Sequence, residues 1–314
     1  MSKKIVVVGS CNVDLQCFTQ RLPKPGETLH GKQFMKGCGG KGANQCVAAA
    51  KLGASTAMIA RVGDDSFGQD FIKAFKSYNV NTDLVKISKN VSTGMAQITV
   101  SDNGENTIVV VAGANNELSV QDMQDSAKVI EEASVIVFQF EIPIPTTIEA
   151  LKLKKLGKGI SIVNAAPAIG NPDPQIFKLS DIFCVNESEA EIITNLPVTC
   201  IDEGKVALNK LLEKGCNQVI ITLGPLGALY GSKTDEVIIH VTTRKVNAVD
   251  TTGAGDMFIG ALAFYLAYYP NLQMREVLRR SCELATLSVL RPGTQLSFPS
   301  RNELPLELFS SDFI

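Results

Sequence analysis

Short apolar runs rich in β-branched residues alternate along the chain with stretches whose apolar positions recur every three or four residues. The runs are typical of strands buried on both faces of a sheet, and the wider spacing is typical of amphipathic helices. This alternation predicts a doubly wound α/β fold: a mainly parallel central sheet, built from βαβ units, with helices on both faces. The predicted strands are 5–8, 56–60, 135–138, 160–163, 182–185 and 219–222, and the predicted helices include 67–78, 119–132, 145–156 and 204–214.

Two regions depart from this alternation and predict a second, smaller sheet. Residues 15–34 contain the turn sequence Leu-Pro-Lys-Pro-Gly, and residues 93–111 alternate strand formers around the hairpin turn Asp-Asn-Gly. We expect these regions, from about 15–36 and 93–112, to form one small β-sheet lid. The lid would be inserted in a single domain that spans residues 1–314, since no internal repeat divides the chain.

The composition excludes several classes of protein. The chain has 45% apolar and 20% charged residues and a formal net charge of −2, with both signs scattered, so nucleic acid is not an expected partner. Its longest apolar helical stretch, 258–269, is shorter than the roughly 20 residues that span a bilayer, which argues against a membrane protein. Eight dispersed cysteines without a C-x-x-C pair favour a reducing, cytoplasmic location, with the nucleus left open.

Residues 249–258 carry the first candidate chemistry. They read Val-Asp-Thr-Thr-Gly-Ala-Gly-Asp-Met-Phe and lead into an apolar helix. Glycines at a helix start expose backbone amides at the positive end of the helix dipole, so Gly253, Ala254 and Gly255 predict an anion site. Asp256 would repel a phosphate there unless it accepted the proton of an attacking hydroxyl. The alternative is that Asp256 only caps the helix.

Residues 37–45, Gly-Cys-Gly-Gly-Lys-Gly-Ala-Asn-Gln, open another helix and formally match G-x-G-x-x-G. A dinucleotide fingerprint follows the first strand and has an acid at the end of the second, and neither condition holds here. A Walker A motif is also absent, because no Gly-Lys pair precedes Ser or Thr. Lys41 and Asn44 beside exposed backbone suit hydroxyl recognition, whereas a tight turn alone would explain only the glycines.

Polar residues also follow several predicted strands, where ligands bind in doubly wound sheets. Asn12 and Asp14 follow the first strand and Glu141 follows 135–139, and such side chains could accept hydrogen bonds from a polyol. Glu189 could hold water on a Mg2+ ion near phosphates, while Asn186 could equally cap a helix. The sharp turn at 222–227 would pass close to a nucleotide.

In chain order, the motifs Gly-Gly-Lys-Gly-Ala-Asn-Gln, Asn-x-x-Glu, Thr-Leu-Gly and Asp-Thr-Thr-Gly-Ala-Gly-Asp resemble those of the ribokinase family of carbohydrate kinases, whose superfamily includes adenosine kinase and several fructokinases. The resemblance extends from Val6 to about Pro299. It implies ATP-dependent phosphorylation of D-ribose at its 5-hydroxyl by a homodimer paired through the lid. Mg2+ and a monovalent cation, usually K+, would serve as cofactors.

The resemblance also implies roles for individual residues. D-Ribose would be bound by Asn12, Asp14, Gly40, Lys41, Gly42, Asn44, Glu141 and Asp256, with Asp256 as general base and Gly253, Ala254 and Gly255 as the anion hole. ATP and Mg2+ would be bound by Asn186, Glu189, Thr222, Gly224, Gly227, Gly255 and Cys282. The K+ loop would comprise Asp250, Thr252, Ser288, Arg291, Gly293 and Ser297, several of them through backbone carbonyls.

Three departures from the family pattern stand beside these assignments. Met257 replaces a small hydroxyl residue, Cys282 stands where many relatives have Asn near the adenine, and Cys38 replaces a common Phe. None removes a residue assigned to chemistry. The alternatives are a kinase for another acceptor, such as deoxyribose, fructose or adenosine, and a non-catalytic sugar-binding relative. An NAD-dependent oxidoreductase is disfavoured by the position of the glycine motif.

Overall fold

The structure, a computed structural model, describes residues 3–235 and 237–310, and their strands lie in two sheets. The large sheet contains β1 (Lys4–Val8), β4 (Ser55–Gly63), β5 (Val85–Ser88), β8 (Val135–Phe138), β9 (Ile160–Asn164), β10 (Ile182–Asn186), β11 (Gln218–Thr222), β12 (Ala228–Ser232) and β13 (Ile239–Val241). The small sheet contains β2 (Asn12–Thr19), β3 (Gln33–Gly39), β6 (Gly94–Ser101) and β7 (Asn106–Val111). The helices are α1 (Lys41–Lys51), α2 (Ser66–Ser77), α3 (Val120–Asp125), α4 (Ala127–Glu132), α5 (Ile144–Lys154), α6 (Pro174–Leu179), α7 (Glu187–Thr194), α8 (Ile201–Glu213), α9 (Ala254–Tyr268) and α10 (Met274–Ser288).

The large sheet has the strand order β13-β12-β11-β10-β9-β8-β1-β4-β5. Pairing is parallel from β11 to β5, and the last two strands in the chain add an antiparallel edge. Successive side chains of a strand point to opposite faces, and Val7 packs in one apolar core while Val6 and Val8 pack in the other. Helices therefore cover both faces, and the predicted α/β class with its separate small sheet is confirmed.

The small sheet has the order β3-β2-β6-β7, and its central pair, β2 and β6, is parallel. Its strands extend beyond the predicted bounds of the lid. Strand β2 begins at Asn12, and β3 ends at Gly39, one residue before the N-cap of α1. Asn12 and Asp14, expected in a loop after the first strand, therefore lie in β2. The lid thus contributes two candidate site residues directly.

Some local predictions were wrong. The expected helix 119–132 is two short helices, because Ser126 leaves the helical region with φ −102° and ψ 7°. A capping box between Ser119 and Asp122 stabilises the start of α3, but it does not extend the helix beyond Ser126. The hairpin β12–β13 was not predicted. In the part of the chain that the structure describes, no helix is long and apolar enough to cross a membrane.

Helices α1 and α9 pack together closely because α9 has a glycine at the contact. A Cβ added to Gly260 would lie 2.4 Å from Ala48 Cβ and 2.9 Å from the Gln45 backbone oxygen. Both helices begin beyond the carboxyl edge of the sheet, so this approach brings their glycine-rich starts together. Asn44 and Asp256, 212 positions apart, consequently come within hydrogen-bond distance.

We expect Gly260→Ala to lower the free energy of unfolding by about 1–3 kcal/mol, because the methyl group would meet backbone and Cβ atoms that cannot rotate away. Gly204→Ala is the matched control. That buried glycine of α8 would place its Cβ 2.8 Å from Leu229 Cδ1, the movable end of a side chain. Urea unfolding checks both variants, and equal losses would contradict the special role of the α1–α9 contact.

Candidate active site

A cavity of about 160 Å3 lies beyond the carboxyl ends of β9, β10 and β11. It brings together residues from five separate segments of the sequence, as expected for a ligand site of a doubly wound sheet. Asn164, at the end of β9, was not among the predicted site residues. The predicted residues that line the cavity are Lys41, Asn186, Glu189, Thr222, Gly253, Gly255 and Asp256.

Asp256 lies in the first turn of α9 and is 7% exposed. Its Oδ2 accepts a hydrogen bond from Asn44 Nδ2 at 2.9 Å, and its Oδ1 accepts one from Gln45 Nε2 at 2.9 Å. The helix is capped by Gly253 without a side-chain bond, so Asp256 does not serve as the N-cap. Burial raises the pKa of Asp256, against the opposing effects of the Lys41 charge and the two amides.

The start of α9 leaves room in front of its backbone. Gly253 has the left-handed φ of 79°, and Ala254 N donates to Thr251 O at 3.2 Å, so the chain turns tightly into the helix. A Cβ added to Gly255 would meet nothing within 4 Å. This open space at a helix N-terminus suits an anion.

Glu141 joins the start of α1 to the turn after β1. Its Oε2 accepts from Lys41 N at 2.9 Å and from Ser10 Oγ, and Asn12 Nδ2 lies 3.5 Å away. Ser10 Oγ also accepts from Gly42 N at 3.2 Å. Sequence reasoning missed Ser10, although its place directly after the first strand was the available signal.

Close backbone contact at this turn requires glycine. Gly40 has φ 83°, and a Cβ there would lie 2.6 Å from Asn12 N; a Cβ at Gly42 would lie 2.4 Å from Ser10 N. Asn115, which sequence reasoning also missed, accepts from Cys11 N at 2.8 Å and donates to Asn12 Oδ1 at 2.7 Å. It lies in a short 3-10 helix after the lid, and no motif marks it.

Asp14 lies at the lid side of the site and lines a larger cleft of about 800 Å3 beneath the lid. A Cβ added to Gly39, on the neighbouring strand, would lie 2.2 Å from Asp14 Oδ2, so this glycine makes space for the carboxyl. Burial, followed by the negative charges of Glu141 and Asp256, raises the pKa of Asp14 to about 7. Asp14 is therefore poised to change its charge near neutral pH.

Asn186 and Glu189 form the capping box of α7. Asn186 Oδ1 accepts from Glu189 N at 2.8 Å, and Glu189 Oε2 accepts from Asn186 N at 2.8 Å. The capping alternative for Asn186 is thus present in the structure, yet both residues also line the cavity. Burial raises the pKa of Glu189, while the Asn186 amide and Lys41 act in the opposite direction.

The turn after β11 contains two glycines with positive φ, 47° at Gly224 and 93° at Gly227. Thr222 ends that strand at the cavity. Cys282 does not line the cavity: it is 7% exposed in the apolar core, on α10. Met257 is fully buried in the same core, which explains why an apolar residue fits there.

The two segments of the predicted cation loop are adjacent. Asp250 accepts from Thr252 N at 2.9 Å and from Gly293 N at 2.8 Å. Ser288 and Ser297 donate to nearby backbone oxygens, at 2.8 Å each. Arg291 pairs with Glu303 at the surface, and its side chain does not join this cluster. Among residues 3–235 and 237–310, no three His, Cys, Asp or Glu side chains are grouped as metal ligands.

The pfkB family of carbohydrate kinases matches residues 2–301. The chain belongs to this family. It is 49% identical to ribokinase of Mus musculus over 305 residues, 97% of this chain and 94% of that protein. It is 40% identical to deoxyribokinase of Salmonella typhi over 296 residues, 94% of this chain and 95% of that protein. The structure of Arabidopsis thaliana ribokinase complexed with ribose and ATP superimposes with a TM-score of 0.90 at 30% identity, covering 98% and 99% of the two chains. The predicted resemblance to ribokinases is confirmed.

Ser10→Ala should raise the KM for the sugar several-fold and leave kcat nearly unchanged. The change would remove one bond each from Glu141 and Gly42 N, and an unpaired buried group costs about 1–3 kcal/mol. Steady-state kinetics and thermal unfolding check this. The control is Ser180→Ala, a serine that is 1% exposed and donates to Phe177 O at 3.4 Å, away from the cavity. An unchanged KM in Ser10→Ala would refute the assignment.

Proposed function

We propose that the protein is an ATP-dependent ribokinase, which transfers the γ-phosphoryl group of ATP to the 5-hydroxyl of D-ribose and releases D-ribose 5-phosphate and ADP. The observation that carries the proposal is the buried Asp256 carboxylate at the start of α9, beside an open helix N-terminus. Ribokinases from a mammal and a plant, one of them seen with ribose and ATP, support this substrate pair.

The sugar would bind between the lid and the start of α1, where Asn12, Asp14, Lys41, Asn44 and Glu141 supply hydrogen-bonding groups. The glycines at 40 and 42 let the start of α1 pack against the backbone that follows β1, which brings these groups together. Because Lys41 lines the same cavity as Asp256, its ammonium group lies where phosphoryl transfer would take place. In this arrangement the acceptor hydroxyl and the γ-phosphoryl group meet in line, which is the main source of catalysis for phosphoryl transfer.

Asp256 would accept the proton of the 5-hydroxyl as the new O–P bond forms. Proton transfer is late because an alcohol is a very weak acid, so a carboxylate whose pKa is raised by burial would be a sufficient base. The amides of Gly253, Ala254, Gly255 and Asp256 would face the oxygens of the transferred group. Backbone donors fixed at a helix N-terminus stabilise such charge without reorganisation.

The nucleotide would lie along Asn186, Thr222 and the turn from Gly224 to Gly227. Glu189 fits a role as holder of water on Mg2+, because it is 9% exposed, acidic and lines the cavity. Bound Mg2+ would neutralise phosphate charge during transfer. We assign Cys282 a packing role at the periphery of the adenine site, because it lies in the apolar core.

A monovalent cation fits the segments that Asp250 joins. Asp250 joins them by accepting from the backbone amides of Thr252 and Gly293. Backbone carbonyl groups of the two segments, together with this carboxylate, would supply the hard oxygen ligands for K+. The cation would supply positive charge beside the anion hole, without contact to the substrate. We propose that Asp250, Thr252, Ser288, Gly293 and Ser297 surround it, with Arg291 contributing through its backbone only.

Two further assignments concern assembly and location. Val109, Val110 and their neighbours Ile108 and Val111 are 47–64% exposed on β7, an edge strand of the lid. Exposed apolar edge strands need a partner, so we propose a homodimer that pairs through the lid. We also propose a cytoplasmic location, as the dispersed cysteines predicted; within the described residues all eight are free.

A second acceptor has a specific observation in its favour. The 40% identity to a deoxyribokinase makes 2-deoxy-D-ribose the alternative to D-ribose. The test is chromatographic detection of ADP and sugar phosphate from ATP and Mg2+, with ribose, deoxyribose, fructose and adenosine side by side in K+ and Na+ buffers. We expect the highest kcat/KM for ribose in K+. Turnover of another acceptor alone would refute the sugar assignment, and binding of ribose and ATP without ADP would indicate a non-catalytic relative.

In the same assay, Asp256→Asn should lower kcat by a factor on the order of hundreds or more, as expected when a general base is lost. The fold should persist, although one NH of the new amide would face the donor group of Asn44 or Gln45. Circular dichroism and ATP binding provide the control for folding. Turnover close to that of the wild-type protein would contradict the role of Asp256.

Sugar affinity should depend on pH through Asp14. Its pKa is raised to about 7, so the carboxylate that accepts hydroxyl hydrogen bonds predominates only above that pH and the KM for ribose should rise as pH falls below it. Asp14→Asn should have a high KM at every pH and lose this dependence. Calorimetric titration of ribose on both sides of the pKa checks the effect, and a pH-independent affinity of the wild-type protein would refute it.

A further inference from the structure

Each oxygen of the Asp256 carboxylate ends a chain of buried amides. On one side, Gln45 Nε2 donates to Asp256 Oδ1 and to Asn164 Oδ1, at 2.9 Å each. Gln45 Oε1 in turn accepts from Gln139 Nε2 at 2.7 Å. An ionised carboxylate can only accept, so the orientation of both glutamine amides on this side is fixed.

The second chain approaches from the opposite oxygen. Asn44 Nδ2 donates to Asp256 Oδ2 at 2.9 Å, and Asn44 Oδ1 accepts from Gln295 Nε2 at 3.0 Å. In both chains, each amide NH2 group therefore donates toward the Asp256 carboxylate. Together they join α1, the strand-end residue Gln139 and the 288–298 segment to the start of α9.

Burial makes these contacts specific. Gln139 is 0% exposed and Gln45 is 1% exposed, so bulk water cannot replace a lost donor readily. Gln139 Oε1 is buried without a hydrogen-bond partner among the described residues, which opposes stability. Gly9 leaves space for this amide, because a Cβ there would lie 2.0 Å from Gln139 Oε1. Because the unpaired oxygen of Gln139 opposes stability, a role for Gln139 in orienting Gln45 explains its presence better than a stabilising role does.

We propose that Gln45 is a positioning residue for the phosphoryl transfer, which Gln139 orients from behind, and that it holds the Asp256 carboxylate ionised and aimed at the acceptor hydroxyl. This inference rests on the proposed role of Asp256 as general base. Neither glutamine belongs to the sugar, nucleotide or cation assignments above. Asn44 completes the arrangement on the other oxygen.

The charges around Asp256 explain why such donors matter. Lys41 faces it and favours the carboxylate form, whereas Glu141, Asp14 and Glu189 are acidic neighbours that favour protonation. Burial acts in the same direction as these acids. Loss of the Gln45 donor should therefore move Asp256 toward its protonated, inactive form at neutral pH.

The test compares Gln45→Met, Gln45→Glu and Gln139→Met in pH profiles of kcat and KM for ribose. Gln45→Met removes the donor, so kcat at neutral pH should fall on the order of tenfold or more, with a small change in KM. Gln45→Glu keeps an acceptor for Gln139 but adds a second acid beside Asp256. The acid limb of the pH profile of kcat should therefore move to higher pH by about one unit or more, and activity should recover at alkaline pH. Gln139→Met should shift the limb in the same direction, but less.

Asn217→Asp is the matched control for an amide-to-acid change. Asn217 Nδ2 donates to Ser180 O at 2.9 Å before the start of β11, at the opposite edge of the sheet from the cavity. This variant should keep the wild-type profile. Rates are normalised to the folded fraction from circular dichroism, since a merely structural defect lowers activity at all pH values without moving the acid limb.

Infrared titration of the Asp256 carboxyl band, taken as wild type minus Asp256→Asn, reads the same effect without turnover. It separates failure of this inference from failure of the proposed function, because it does not require a substrate. An upward shift in the Gln45 variants, or in Gln139→Met if those do not fold, supports the inference. An acid limb and a carboxyl titration that match the wild type would overturn it.

Discussion

Helices α1 and α9 approach to backbone contact because Gly260 has no side chain to hold them apart. The rest of the site follows from this contact. Each helix begins with a glycine-rich turn, one beside Lys41 and the other beside Asp256, where the open space in front of Gly255 suits an anion. With a larger separation, Asn44 and Gln45 would lose their bonds to the Asp256 carboxylate. Packing of α1 against α9 in the core thus determines how the candidate site residues are placed relative to one another at the carboxyl edge of the sheet.

The site combines burial with an excess of negative charge. Glu141, Glu189 and Asp256 lie near Lys41, and Asp14 lies near two of these acids. Burial, followed by the charges of Glu141 and Asp256, raises the pKa of Asp14 to about 7. In the proposed function, sugar hydroxyls would donate hydrogen bonds to these carboxylates and Mg2+ would accompany the nucleotide. Binding would then relieve an imbalance of charge that folding imposes, and part of the binding free energy would come from that relief.

Much of this arrangement could be predicted from sequence, for identifiable reasons. Strands buried on both faces read as continuous apolar runs, so the sheet could be predicted. The glycine-rich helix start indicated Asp256 as a candidate site residue, and Asp256 does line the cavity. Its bond from Gln45 could not be predicted, nor could the bond from Gln295 to Asn44, because long stretches of chain separate the members of each pair and an isolated glutamine resembles a surface residue. Asn115 and Ser10 were missed similarly. Ser126 divides a helix that periodicity alone predicted as continuous.

The division of the site between lid and helices explains how one fold can serve related sugars. Asp256, Lys41 and the start of α9 belong to the core and would act on any primary hydroxyl placed before them. Asn12 and Asp14 lie in β2 of the lid and, in the proposed function, would contact the acceptor from the other side. A change of acceptor can therefore arise in the lid without altering the reacting groups, as expected when both ribokinases and a deoxyribokinase align along nearly the whole chain. In the proposed function, selection of the acceptor would depend on which hydroxyls pair with Asn12 and Asp14. A site rejects most strongly a ligand that leaves one of its buried hydrogen-bonding groups unpaired.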